Sequence, residues 1–189
     1  MRARTPLVGG VVGLFVTVAV LHLGAQLTGA DDVADATQVL LMPLLAAALW
    51  SNTEAPRSRL ITLTLVALGL SWLGDSAPKL AEGDTAFLIM IGFFLLAQVA
   101  YVMAFWPFRD RSVLHVRRPL LLGYVAVVVA LVVACVGGAA GMLVPVLVYG
   151  ALLGTMAVLA TGVNLPTAIG GALFLVSAGL IALNAFADG

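Results

Sequence analysis

The chain has 189 residues, of which 62% are hydrophobic and only 10% charged; its formal net charge is zero and its mean hydropathy +1.15. A soluble domain carries roughly 25% charged residues, so this chain lacks the polar shell that water requires. The charge balance gives no reason to expect a nucleic-acid partner. The single cysteine, Cys135, excludes an internal disulfide, has no metal-ligand spacing around it and reads as a buried, inert thiol.

A spanning helix needs about 20 mostly apolar residues. Seven segments meet or approach that length: Leu7–Leu27, Thr37–Trp50, Leu60–Pro78, Thr85–Trp106, Pro119–Val136, Met142–Thr161 and Pro166–Phe186. The second is the shortest, with its start expected within Asp35-Ala-Thr-Gln38. The first has basic residues ahead of it and Thr28-Gly29-Ala30 behind it, as a signal peptide would. Its apolar run exceeds the usual signal core of about 7–15 residues, so it is expected to stay as a span.

The loops sort by charge. Arg2 and Arg4, Arg57 and Arg59, and Arg109, Arg111, Arg117 and Arg118 fall on one side, which is eight of the nine basic residues. Lys79 falls on the other with Asp31, Asp32, Asp35, Glu82 and Asp84. The positive-inside rule puts the N-terminus in the cytoplasm; the protein is expected to be a multi-pass protein of the cell (plasma) membrane. Trp50 and Trp106 then sit at cytoplasmic span ends, where interfacial tryptophans belong.

The chain resembles itself. Leu41-Met-Pro43-Leu-Leu is similar to Leu143-Val-Pro145-Val-Leu, and Leu73-Gly74-Asp75 aligns with Val176-Ser177-Ala178, at offsets of 102 and 103. The expected architecture is an all-α, polytopic transmembrane helix bundle of about seven spans. It forms a single integral membrane domain over residues 1–189. Its two parallel four-span repeats, about residues 1–106 and 119–186, lack the last span, because the chain stops at Asp188-Gly189.

Asp75 is the acid placed within a span. A carboxyl there costs at least about 2.5 kcal/mol and marks a functional site by default, the alternative being a cap or a glue between helices near the outer interface. Ser71, Gly74, Asp75 and Pro78 share one helical face, extended by Ala67 and Thr64, and this stripe of mostly small residues is expected to turn Asp75 into the bundle. Gln98 and Tyr101 share a face of the fourth span, flanked by Phe94 and Phe105. Ser177 and Asn184 share a face of the seventh. With Gln38 and Tyr149, these are the polar groups able to bind a lipid headgroup or to join helices by hydrogen bonds. His22 reads as a helix contact, since no second histidine is near in sequence. His115 reads as facing water or headgroups.

No metal cluster or phosphate loop of the required form is present, and no cofactor is expected. The last span has no lysine for a retinal linkage, and no span carries the arginine series of a voltage sensor.

Thr37-Gln-Val-Leu-Leu-Met-Pro-Leu-Leu45, Ser71-Trp-Leu-Gly-Asp75, Phe93-Phe-Leu-Leu-Ala-Gln-Val-Ala-Tyr101, Val144-Pro-Val-Leu-Val-Tyr149 and Gly171-Ala-Leu-Phe-Leu-Val-Ser177 occur in register. Together they resemble the YhhN-like lysoplasmalogenase family of integral membrane proteins. The resemblance implies an eight-span membrane hydrolase that cleaves the vinyl ether bond of a lysoplasmalogen into a fatty aldehyde and a glycerophospho-headgroup. It makes Asp75 the catalytic acid. Ser71, Gln98, Tyr101, Gln38, Tyr149, Ser177 and Asn184 are the candidates for substrate binding. The implied partners are a lysophospholipid or similar amphiphile and the membrane lipids; a homo-oligomer stays open.

The pattern departs from the family at named positions. Where the family has Ser-Asp, this chain has Ser177-Ala178. Gln38-Val39 replaces a Lys-Pro, and Gln98 replaces a His before the span-four Tyr. The family's last helix is missing. Two further readings therefore stand beside the hydrolase: a catalytically impaired relative that binds a lysolipid or amphiphile, and a small proton-coupled transporter or purely structural membrane protein.

Overall fold

A computed structural model describes residues 6–136 and 143–186. Arg2, Arg4, Met142 and Asp188-Gly189 of the reading above lie outside the described residues. The described residues form seven α-helices and no strand: α1 Pro6–Thr28, α2 Asp31–Ser51, α3 Arg59–Ser76, α4 Gly83–Phe105, α5 Arg118–Val136, α6 Leu143–Ala160 and α7 Leu165–Phe186. Short 3-10 turns follow α3 (Ala77–Leu80) and α4 (Trp106–Arg111). Among the described residues, six helices are long and apolar enough to cross a membrane, while α5 contributes a shorter apolar stretch, Pro119–Cys135. The chain divides into two compact units, Met1–Ala100 and Tyr101–Gly189.

In the first unit, α1 ends at Gly29, whose φ of +70° is a conformation that suits glycine. Ala30 N–H then reaches back to Ala25 O over 2.9 Å, the Schellman closure that uses up a free end carbonyl. Gly29 and Ala30 alone separate α1 from α2, so the two helices pack closely along each other. The second helix corrects the sequence reading. It starts at Asp31, not within Asp35-Ala-Thr-Gln38, and its 21 residues exceed the 18 of α3 and of α6. Asp31 and Asp32 occupy its first turn, where negative charge meets the positive end of the helix dipole. A hydropathy reading treats these acids as loop; the dipole makes them a helix start.

Pro43 lies inside α2 and has no N–H to offer the carbonyl four residues back, that of Val39. The indole Nε1 of Trp72 on α3 supplies that missing donor over 3.0 Å. His22 Nδ1 on α1 lies 3.0 Å from Thr37 Oγ1 and 3.1 Å from Ala34 O, so this histidine is a helix contact, as expected. Ser58 caps α3 by accepting Ile61 N–H at 3.4 Å. At the Trp50 end of α2, the Arg57 guanidinium lies 3.3 Å from the Trp50 ring centroid and donates to Trp50 O over 3.2 Å.

The second unit is built around α6, buried at Leu153 and Gly154 and from Met156 through Ala160. Close approach relies on missing side chains. A Cβ on Gly171 would stand 2.9 Å from Ala160 Cβ, and one on Gly154 would stand 2.8 Å from a Val128 methyl. The end of α6 is joined to the segment after α4: Val113 N–H donates to Thr161 Oγ1 over 3.0 Å, and Gly162 lies against Phe108 O. Cys135 is buried, as its apolar run implied.

Candidate functional site

Several of the candidate polar groups of the first unit meet where the first turns of α2 pass the end of α3. Asp75 is the penultimate residue of α3 and is half-buried. Gln38 Nε2, two turns into α2, donates to Asp75 Oδ1 over a long 3.3 Å. The Trp72–Val39 bond fixes this meeting, because Val39 adjoins Gln38 and Trp72 precedes Asp75 by one turn. One turn beyond Asp75, Lys79 Nζ pairs instead with Asp35 Oδ1 at 2.8 Å, so the cation on this side has its own carboxylate. The direct side-chain donor to Asp75 is therefore a neutral amide.

Among the described residues, three further polar groups of this unit are buried without a partner. Ser71, one turn before Asp75, is 2% exposed, and its hydroxyl finds no hydrogen bond among the described residues. Gln98 on α4 is 0% exposed, and neither atom of its amide is paired. Ser76 Oγ is likewise buried and unpaired. More than nine in ten buried polar groups in folded proteins are paired, so three exceptions in one unit are notable. Phe94 sets the level of α4 against α3: a Cβ built on Gly74 would stand 2.9 Å from two of its ring carbons.

Tyr101 follows Gln98 by one turn on α4, is half-buried, and stacks on Phe105 at 5.8 Å between ring centroids. In the second unit, Tyr149 lines a small apolar void of about 40 Å³ together with Cys135, Val146, Leu153 and Ala178. Ala178, aligned with Asp75 in the repeat reading, is therefore buried among hydrocarbon. Ser177 and Asn184 are exposed. Of the candidate residues, then, Gln38 and Asp75 are hydrogen-bonded and Ser71 lies one turn away on the same helix face.

Sequence reasoning missed Trp72 and Ser76. Trp72 had a readable signal: a proline in mid-helix leaves a carbonyl free, and a nearby indole is a donor that can reach it. Ser76 had none, because a serine at a helix end usually bonds its own backbone.

Apolar helices of spanning length, with a part-buried carboxyl and an amide meeting where two of them end and begin, define a multi-pass membrane protein. The chain belongs to the YhhN family, whose model matches residues 33–189. That match takes in Gln38, Ser71, Asp75 and Gln98 and runs from α2 through α7. Neither a curated protein nor a solved structure matches the chain.

Proposed function

We propose that this protein is a membrane hydrolase of the lysoplasmalogenase type, lying in the plasma membrane with its N-terminus in the cytoplasm. The observation that carries the reading is the Gln38–Asp75 pair, an acid held by a neutral donor within an apolar bundle. Cleavage of a vinyl ether starts with proton transfer to the carbon distal to the oxygen. Asp75 gives that proton. The resulting oxocarbenium ion takes up water at the carbon bearing oxygen, and the proton that water loses returns to the Asp75 carboxylate. The hemiacetal then collapses to a fatty aldehyde and the glycerol hydroxyl of the headgroup. Gln38 orients the carboxyl, and Ser71 and Gln98 of the same unit are the candidates to face the substrate. The alternating charge of the loops supports the orientation.

The test is aldehyde release from a lysoplasmalogen by purified protein in vesicles. Asp75→Asn should lower turnover at least about 100-fold, the scale of a lost general acid. Full activity in that variant removes the acid role.

A second reading has its own observation. The position at which the resemblance expects a second carboxylate is Ala178, beside an apolar void. A relative that binds a lysolipid without cleaving it would fit that loss. Lysolipid that co-purifies intact and yields no aldehyde on incubation supports this reading over the first.

A further inference from the structure

We infer that Gln98 and Ser71 form a neutral binding site for a hydroxyl-type oxygen, one that donates and accepts at once. The inference rests on the lysolipid reading for the identity of its ligand and on the first unit's geometry for its place. The close approach of Gly74 to the Phe94 ring puts that ring at the depth of Gly74, with the Phe94 backbone within about one turn of it. Residues 77–82 join α3 to α4, and both helices lead away from that link, so neighbouring spans run in opposite directions. Ser71 lies one turn from Gly74 away from the link, and Gln98 one turn from Phe94 the same way. Ser71 and Gln98 thus come within about one turn of each other in depth, Ser71 itself about one helical turn deeper than Asp75.

Both are almost wholly removed from solvent, and neither is satisfied: the Gln98 amide keeps a free donor and a free acceptor, the Ser71 hydroxyl both of its roles. An amide in such surroundings is costly unless something pairs with it. As a glue residue between helices it would have a protein partner, and it has none among the described residues. The complement to a free carbonyl, a free NH₂ and a hydroxyl is an uncharged O–H. A phosphate or a choline would call for charge, and this pair has none. Two sources supply such an oxygen: the water that captures the oxocarbenium ion, or the free glycerol hydroxyl next to the ether in a lysolipid.

The experiment uses full-length protein in detergent and in vesicles, with two uncleavable probes: a saturated alkyl-ether lysophospholipid and its analogue with the glycerol hydroxyl methylated. The variants are Gln98→Leu, which keeps the size and removes both polar atoms, and Ser71→Ala, a milder change that favours helix and guards against a folding failure. Without ligand, Gln98→Leu should melt several degrees above wild type, because a buried unpaired amide is gone. If the occupant is the ligand's hydroxyl, the free-hydroxyl probe should bind at least tenfold more weakly to both variants. Wild type should then also discriminate against the methylated probe by at least tenfold. If the occupant is water, both probes should bind wild type and variants alike while aldehyde release falls at least tenfold. Variants that bind both probes and turn over like wild type overturn the site, and leave the hydrolase reading intact. Wild type that binds in a Gln98-dependent way but never releases aldehyde overturns the hydrolase and leaves the site standing. Absence of both binding and turnover in folded wild type overturns both.

Discussion

Trp72 gives its indole N–H to the carbonyl of Val39, the one that Pro43 leaves without a helical donor. The two helices are thereby held at a single register, which brings Gln38 to Asp75. Trp72→Phe keeps the ring and strips the donor, and should cost about 0.5–1.5 kcal/mol, the scale of one lost hydrogen bond. In a Pro43→Ala background the restored N–H takes the carbonyl, so the same change should cost about 1 kcal/mol less. A double-mutant cycle of unfolding in detergent measures the difference; strict additivity would mean that the indole and the proline act independently.

Gln38 is the direct side-chain donor to the Asp75 carboxyl. In Gln38→Leu, turnover of lysoplasmalogen should fall about tenfold, the kinetic equivalent of one hydrogen bond of roughly 1.4 kcal/mol. Steady-state aldehyde release decides it. An unchanged kcat would show that the carboxyl needs no orienting partner.

The end of α6 tolerates no side chain at Gly162, where a Cβ would run into the Phe108 carbonyl, a backbone atom that can yield only if the 3-10 turn moves. Gly162→Ala should destabilise the second unit by about 1–3 kcal/mol. Gly154→Ala meets side-chain atoms of Val128 alone, which a small shift between the two helices can relieve without moving a backbone hydrogen-bonding group, and should cost less. Thermal melts of the two variants give the ranking, and the reverse order would contradict the contact.

Ala178→Asp would put a carboxyl into the apolar void that Tyr149 and Cys135 line. Burial of an incompletely paired polar group costs about 2 kcal/mol or more. The variant should therefore melt lower than wild type. A melt at or above wild type would show that the second unit still has partners for an acid there.

The orientation is open to thiol chemistry, because the one native cysteine is buried. Glu82 and Arg117 are both exposed. In intact cells, an impermeant maleimide should label Glu82→Cys directly and Arg117→Cys only after permeabilisation. The opposite pattern would invert the assignment.

The seven helices were legible because apolar runs of spanning length leave little choice of structure. Their faces were harder to read. Helices such as α4 and α6 are apolar all round, so spacing shows that Ser177 and Asn184 share a face of α7 without showing which way that face turns, and both prove exposed. Asp75 was legible as the costly residue of its span. Its partner was not: Gln38 reaches it through a register set by Pro43 and Trp72, a relation between two helices that no local pattern encodes. The start of α2 was misread because three acids near its beginning look like loop when their effect on the helix terminus is left aside.

The pairing of Arg57 with Trp50 anchors the first unit at one end, while Asp75 sits at the opposite end of α3. Bilayers differ in thickness, and a helix pinned at one interface must absorb the mismatch at the far one. On the proposed orientation, the depth of the carboxyl beneath the headgroups then varies with the length of the surrounding acyl chains. On the proposed hydrolase reading, a host that alters its lipid composition would thereby move its substrate relative to the acid, with no change to the protein.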